Sequence, residues 1–193
     1  ILEKDPSVEL INYALYLKRH PPQFEARIHE NSSWSCVHGV ERWRSDCGCN
    51  SGREGCHQRW RAPLRETFDW LRDTVAPHFE KLGATYFTDP WAARDAYIRV
   101  ILDRSPEEVN LFFAENAARA LDAQERTTAL RLMELQRHAM LMYTSCAWFF
   151  DDIAGLETVQ VIQYAARVLQ LARTALGLDL EPEFLDRLGR ITG

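Results

Sequence analysis

Apolar residues recur at threes and fours through most of the chain, the period of a helix with one buried face. Leu10, Ile11, Ala14, Leu15 and Leu17 predict a first helix. Asp5 suits its N-cap, Pro6 its first position, and Pro21-Pro22 its stop. From Ala62 the pattern returns in Leu64, Phe68, Leu71, Val75 and Phe79 and ends at Gly83. Pro77 lies inside this run and predicts a kink or break, because proline removes a helical hydrogen bond. Asp89-Pro90 and Ser105-Pro106-Glu107-Glu108 open two further helices. The longest helix is predicted from about Asp122 to Trp148, its last third apolar nearly all round. A helix from about Glu157 to Leu176 follows, with Gly177 as C-cap, and a short one from Glu181 to Arg190 closes the chain. Nothing reads as a strand. The expected fold is an all-α helical bundle of about six to seven helices in one domain, residues 1–193.

Residues 23–60 are the exception and predict one long irregular loop. Four of the five cysteines lie here (Cys36, Cys47, Cys49, Cys56), together with Trp34, Trp43 and Trp60. A core has little use for Trp, Arg, His and Cys mixed so densely, since buried Arg and His need partners. A functional loop on a helical scaffold is the better reading. Composition adds limits rather than identity. At 46% hydrophobic and 26% charged, with net charge -5, the chain suits a globular domain and gives no case for nucleic acid as partner. The apolar run from Ala139 to Phe150 is too short to span a bilayer, so no membrane is expected. An odd cysteine count in a helical core argues against a disulfide framework. A cytoplasmic location is the expectation. The chain opens on Ile1 rather than Met, which suggests a piece of a larger multidomain protein.

Three groups of residues carry candidate chemistry. Cys36, His38, Cys47 and Cys49 form a C-x-H and C-x-C set with the thiolate and imidazole ligands that zinc takes, or the thiolates of an iron–sulfur cluster. The count suits four-coordinate metal, whereas C-x-C is tighter than the common C-x2-C knuckle; reduced free thiols are the alternative. Trp34, His38, Glu41, Arg42, Trp43 and Trp148 combine flat rings with planar polar groups, suited to the faces and hydroxyls of a carbohydrate. A polar network beneath a loop would use the same residues. Asp151 and Asp152 pair two carboxylates at a helix end, a feature of glycoside hydrolysis in general, although Asp at a helix start is more often a cap. The segments around residues 31–61 and 146–152 share Trp, Cys and acid, and are expected to meet at one end of the bundle.

The string from Ser33 to Trp43, Asp46-Cys47-Gly48-Cys49, Trp60-Arg61-Ala62-Pro63-Leu64-Arg65, and the run from Thr144 to Gln160 together give a family likeness. They resemble the helical domain of unknown function that follows the catalytic barrel in a subgroup of glycoside hydrolase family 57 proteins. Ala147 and Cys56 depart from it, where Gly and Trp would be expected. The resemblance implies enzymes that act on α-glucans with a Glu nucleophile and an Asp acid/base, both on a barrel this chain lacks. It therefore implies an accessory domain that packs on the barrel of the same polypeptide and lends aromatic residues to a glycan cleft. Trp34, Trp43 and Trp148 suit that role by chemistry alone, and no residue here is assigned as catalytic.

Overall fold

A computed structural model describes residues 7–191, and among them the regular structure is helical, with no strand. The residues divide into two compact units, 7–32 and 33–191.

The first unit carries α1 (Tyr13–Arg19). It begins later than the apolar pattern predicts. The Asn12 side chain caps it by accepting the Leu15 N–H, and none of its residues is buried. Asp5 and Pro6, the predicted start, lie outside the described residues. The helix ends at Arg19, ahead of the two prolines.

The second unit holds seven α-helices: α2 (Arg61–Gly83), α3 (Pro90–Ala96), α4 (Ile98–Leu102), α5 (Pro106–Asn116), α6 (Ala123–Leu141), α7 (Leu156–Leu171) and α8 (Glu181–Gly189). Local chemistry explains most of their starts. Asp89 accepts the N–H groups of Trp91 and Ala92, Ser105 accepts that of Glu108, and Asp122 and Glu125 form a reciprocal capping box. Gly177 closes the segment after α7 with φ of 71°.

Two expectations are corrected. Pro77 does not break α2, which runs through it and is the longest helix at 23 residues. The helix predicted to reach Trp148 stops at Leu141. There the Thr144 hydroxyl and N–H both bond the Leu141 carbonyl, closing a tight turn, and one turn of 3-10 helix follows from Ser145 to Trp148. The turn carries Trp148 inward, 1% exposed, where its indole N–H donates to the Arg61 carbonyl at 3.1 Å.

The core forms two clusters bridged by α2 and α6. One gathers Leu64, Phe68, Leu71, Leu135, Met142, Trp148, Val168 and Phe184. The other gathers Phe79, Phe87, Tyr97, Phe112, Leu132 and Met133. Gly83 sits where α2 meets α3, and a Cβ there would lie 2.9 Å from Pro90. Residues 33–60 run irregularly, apart from one 3-10 turn at Glu41–Trp43, and lie on the end of the bundle formed by the start of α2 and the 145–152 turn.

Candidate metal centre

Four side chains of the long loop converge. The donor atoms of Cys36, His38, Cys47 and Cys49 all lie within 4.8 Å of one another. The Cys36 sulfur is 3.8 Å from that of Cys47 and 3.7 Å from that of Cys49. The His38 Nδ1 is 3.9 Å from the Cys36 sulfur and 3.5 Å from the Cys49 sulfur. Zinc bond lengths of 2.0–2.3 Å place the edges of a ligand tetrahedron at about 3.8 Å for two sulfurs and about 3.6 Å for sulfur and nitrogen. The Cys36–Cys47, Cys36–Cys49 and Cys49–His38 separations lie close to these edges, and the Cys36–His38 separation is longer. These four residues can hold a metal ion.

The backbone makes the tight spacing workable. Gly48, between Cys47 and Cys49, has φ of 78°, a conformation that lets both sulfurs turn toward Cys36 and that residues with a Cβ avoid. Cys36 is 5% exposed. Burial raises its thiol, but the N–H groups of Arg42 and His38, the His38 ring and Cys49 outweigh this and bring it down to about 6. Cys47 is pushed up, first by burial, against the help of the Cys49 N–H. One sulfur is thus set up as a thiolate, the form that binds metal.

Two buried arginines fasten the loop to the bundle. Arg42 donates to the Ser35 carbonyl at 3.0 Å and the Phe149 carbonyl at 2.8 Å, with its guanidinium 4.8 Å from the Phe149 ring centre. Arg61, with a fully buried side chain, donates to the Cys49 carbonyl at 2.8 Å and the Phe150 carbonyl at 3.3 Å. Each arginine therefore joins a ligand or its neighbour to the 145–152 turn. Asp151 answers from that turn by accepting the Ser51 N–H and hydroxyl and the Arg53 N–H, and lies 4.0 Å from Arg61. Burial raises the Asp151 carboxyl, yet Ser51 and the Arg53 N–H outweigh it and hold it below the usual range. Trp60 adds a bond from its indole N–H to the Asp151 carbonyl. The two segments meet, as the sequence leads one to expect.

The pattern of one domain family, described as a domain of unknown function (DUF3536), matches residues 56–192, well over half of the chain. The chain belongs to the DUF3536 family. No curated protein and no solved structure matches it. The matched part of the DUF3536 domain includes Arg61 and the 145–152 turn, whereas the four donor residues precede it.

The structure of the DUF3536 domain also locates the residues expected to line a carbohydrate site. Trp148, Asp151 and Arg42 are 1%, 3% and 6% exposed and spend their polar groups inside the protein, so they position the loop rather than face a cleft. Glu41 is tied to Arg44 and Ser45, His38 belongs to the donor cluster, and Asp152 pairs with Arg53 and caps the Ala154 N–H. Trp43 donates to the Ser145 carbonyl and lines a groove of about 370 Å³ with Trp34, Phe149 and Phe150. Trp34 alone among them is largely open, at 90% exposure. Arg61, Trp60 and Ser51 complete the support. Trp60 and Arg61 stand in the motif that carries the family likeness, but residue type does not show that their partners are backbone carbonyls, and Ser51 gives no signal of its own.

Proposed function

We propose that Cys36, His38, Cys47 and Cys49 bind one zinc ion in a closed structural site, which fixes the 33–60 loop to the end of the helical bundle. The observation that carries this reading is the convergence of four zinc-type donors within 4.8 Å of one another, three of their separations lying close to the edges of a zinc tetrahedron. Four protein ligands leave no open position for water or substrate, which is the mark of a structural rather than catalytic zinc. An iron–sulfur cluster fits less well, because thiolates bound to different irons stand further apart than these. The N–H groups aimed at Cys36 and the arginine bridges at Ser35 and Cys49 orient the ligands, as outer-shell contacts do at metal sites. Elemental analysis of the purified protein should count one zinc per chain, and Cys49→Ser should lose it. Metal-free protein with all five thiols open to a thiol reagent in the native state would reject the site.

A second reading rests on Trp34, exposed beside the groove that it forms with Trp43 and Phe149. Here the domain is an accessory part of a glycoside hydrolase family 57-like protein. It packs on a catalytic barrel of the same polypeptide, and the braced loop offers Trp34 as a platform for an α-glucan. Turnover then belongs to the barrel. In the barrel-containing protein, Trp34→Ala should weaken oligosaccharide affinity at least several-fold; unchanged affinity would remove this reading and leave the zinc site standing.

A further inference from the structure

Away from the cysteine loop, α4, α5, α6 and α7 border an open cavity of about 350 Å³. Its floor is apolar and firm: Val100 and Leu171 are 2% and 3% exposed, with Leu130 beside them. Leu171 is the last residue of α7 before a five-residue π-helical segment, Ala172–Leu176, a rare form that often accompanies binding sites. The rim is cationic, with Arg104, Arg131 and Arg167 set against a single carboxylate, Glu134.

That carboxylate is already answered. Glu134 accepts the Tyr97 hydroxyl at 2.9 Å and Arg104 at 2.8 Å on one oxygen, and Arg137 at 3.1 Å on the other, with the His138 ring nearby. It does not face the cavity as a bare negative charge. Arg131 and Arg167, by contrast, have no carboxylate partner among the described residues; Arg167 donates only to Gln170. Arginines elsewhere in this acidic chain are mostly paired, as Arg94 is with Asp95, Arg119 with Glu125 and Arg187 with Glu183. Two unanswered guanidiniums above an apolar floor are complementary to a ligand with one charged end. We propose that this cavity binds a small carboxylic acid with an apolar body, its carboxylate held by Arg131 and Arg167 and its body lying on Val100, Leu130 and Leu171. The guanidinium fork suits a carboxylate because two parallel N–H bonds reach both oxygens. The volume falls within the range of small-molecule sites.

The probe is octanoate, added to the 193-residue chain at low salt and followed by the methyl resonances of Val100, Leu130 and Leu171. 1-Octanol keeps the body without the charge, and inorganic phosphate keeps a charge without the body. Octanoate should move these methyls and bind at least about tenfold more tightly than octanol, the worth of a charge-assisted hydrogen bond. Arg131→Gln with Arg167→Gln should lose about that factor, and the paired lysine variants, which keep the charge, should recover much of it. Both positions are exposed, so the substitutions leave the core untouched. Equal binding of octanol and octanoate, phosphate binding as tightly as octanoate, shifts confined to other methyls, or full affinity in the Gln variant would each overturn the proposal. So would no binding of octanoate at all.

Discussion

Single residues decide whether the donor atoms can converge. Gly48 has no heavy atom within 4 Å of where a Cβ would stand, so an alanine there meets no clash and bears only the backbone cost of φ at 78°. That cost is about 1–2 kcal/mol. Gly48→Ala should therefore weaken zinc binding about tenfold, read by competition with a chromophoric chelator. Asn, which tolerates this conformation better, should lose less. An unchanged affinity would mean that the Cys47–Cys49 spacing does not depend on the turn. Asp151 gives a pH signature. Its folded-state carboxyl is held below the ordinary value, so its contribution is present above the usual Asp value of about 3.9 and is lost as the pH falls below it. Asp151→Asn should cost about 1–3 kcal/mol at neutral pH, since it disrupts the Ser51 and Arg53 bonds of a buried group. It should also flatten the fall in stability below pH 4 in urea melts; an acid limb as steep as in the unsubstituted chain would assign that loss to other carboxylates.

At the scale of elements, stability should follow burial rather than apolar sequence. Leu135 on α6 is fully buried in the cluster with Trp148, and Leu135→Ala should cost about 2–5 kcal/mol by denaturant melting. Leu141, at the end of the same helix, is only half-buried and should cost about 1 kcal/mol, although it lies in the stretch that reads as apolar nearly all round. A larger loss at Leu141 than at Leu135 would contradict this packing. The contrast shows which elements were legible in the sequence. Starts at Asp89, Ser105 and Asp122 were, because caps act within three residues. The end of α6 was not, because a tertiary contact decides it: Trp148 leaves the helical path to reach the Arg61 carbonyl. The site divides the same way. Cys36, His38, Cys47 and Cys49 were legible from ligand type and nearness along the chain. Residue type alone leaves Arg42 and Trp148 open between a carbohydrate surface and a network beneath the loop, and Asp151 between a carboxylate pair and a cap; all three are buried. The partners that tie them across the fold lie from 87 to 107 residues away, and most are backbone carbonyls or N–H groups, which leave no mark on residue type.

For residues 33–191 taken together, loop and bundle have separate sources of stability. The two core clusters draw on α2 to α8 and take little from residues 33–59, whose order rests on the donor cluster, Arg42, Arg61 and Asp151. Metal removal should therefore loosen the loop without unfolding the helices, because the ligands must converge around the ion to hold the chain. The effect should not stop at the cysteines. If the Ser35 and Cys49 carbonyls drift away, the buried guanidiniums of Arg42 and Arg61 each lose a partner, at about 1–3 kcal/mol apiece. The 145–152 turn, held by the same two side chains, should then gain mobility although it binds no metal. A strong chelator should thus leave the helical circular dichroism nearly intact, raise proteolysis within residues 45–61, and speed amide exchange at Phe149 and Phe150. Zinc added back should reverse all three. Global loss of helix on chelation would mean that the bundle depends on the metal, and unchanged exchange at Phe149 and Phe150 would mean that the arginine bridges hold without it.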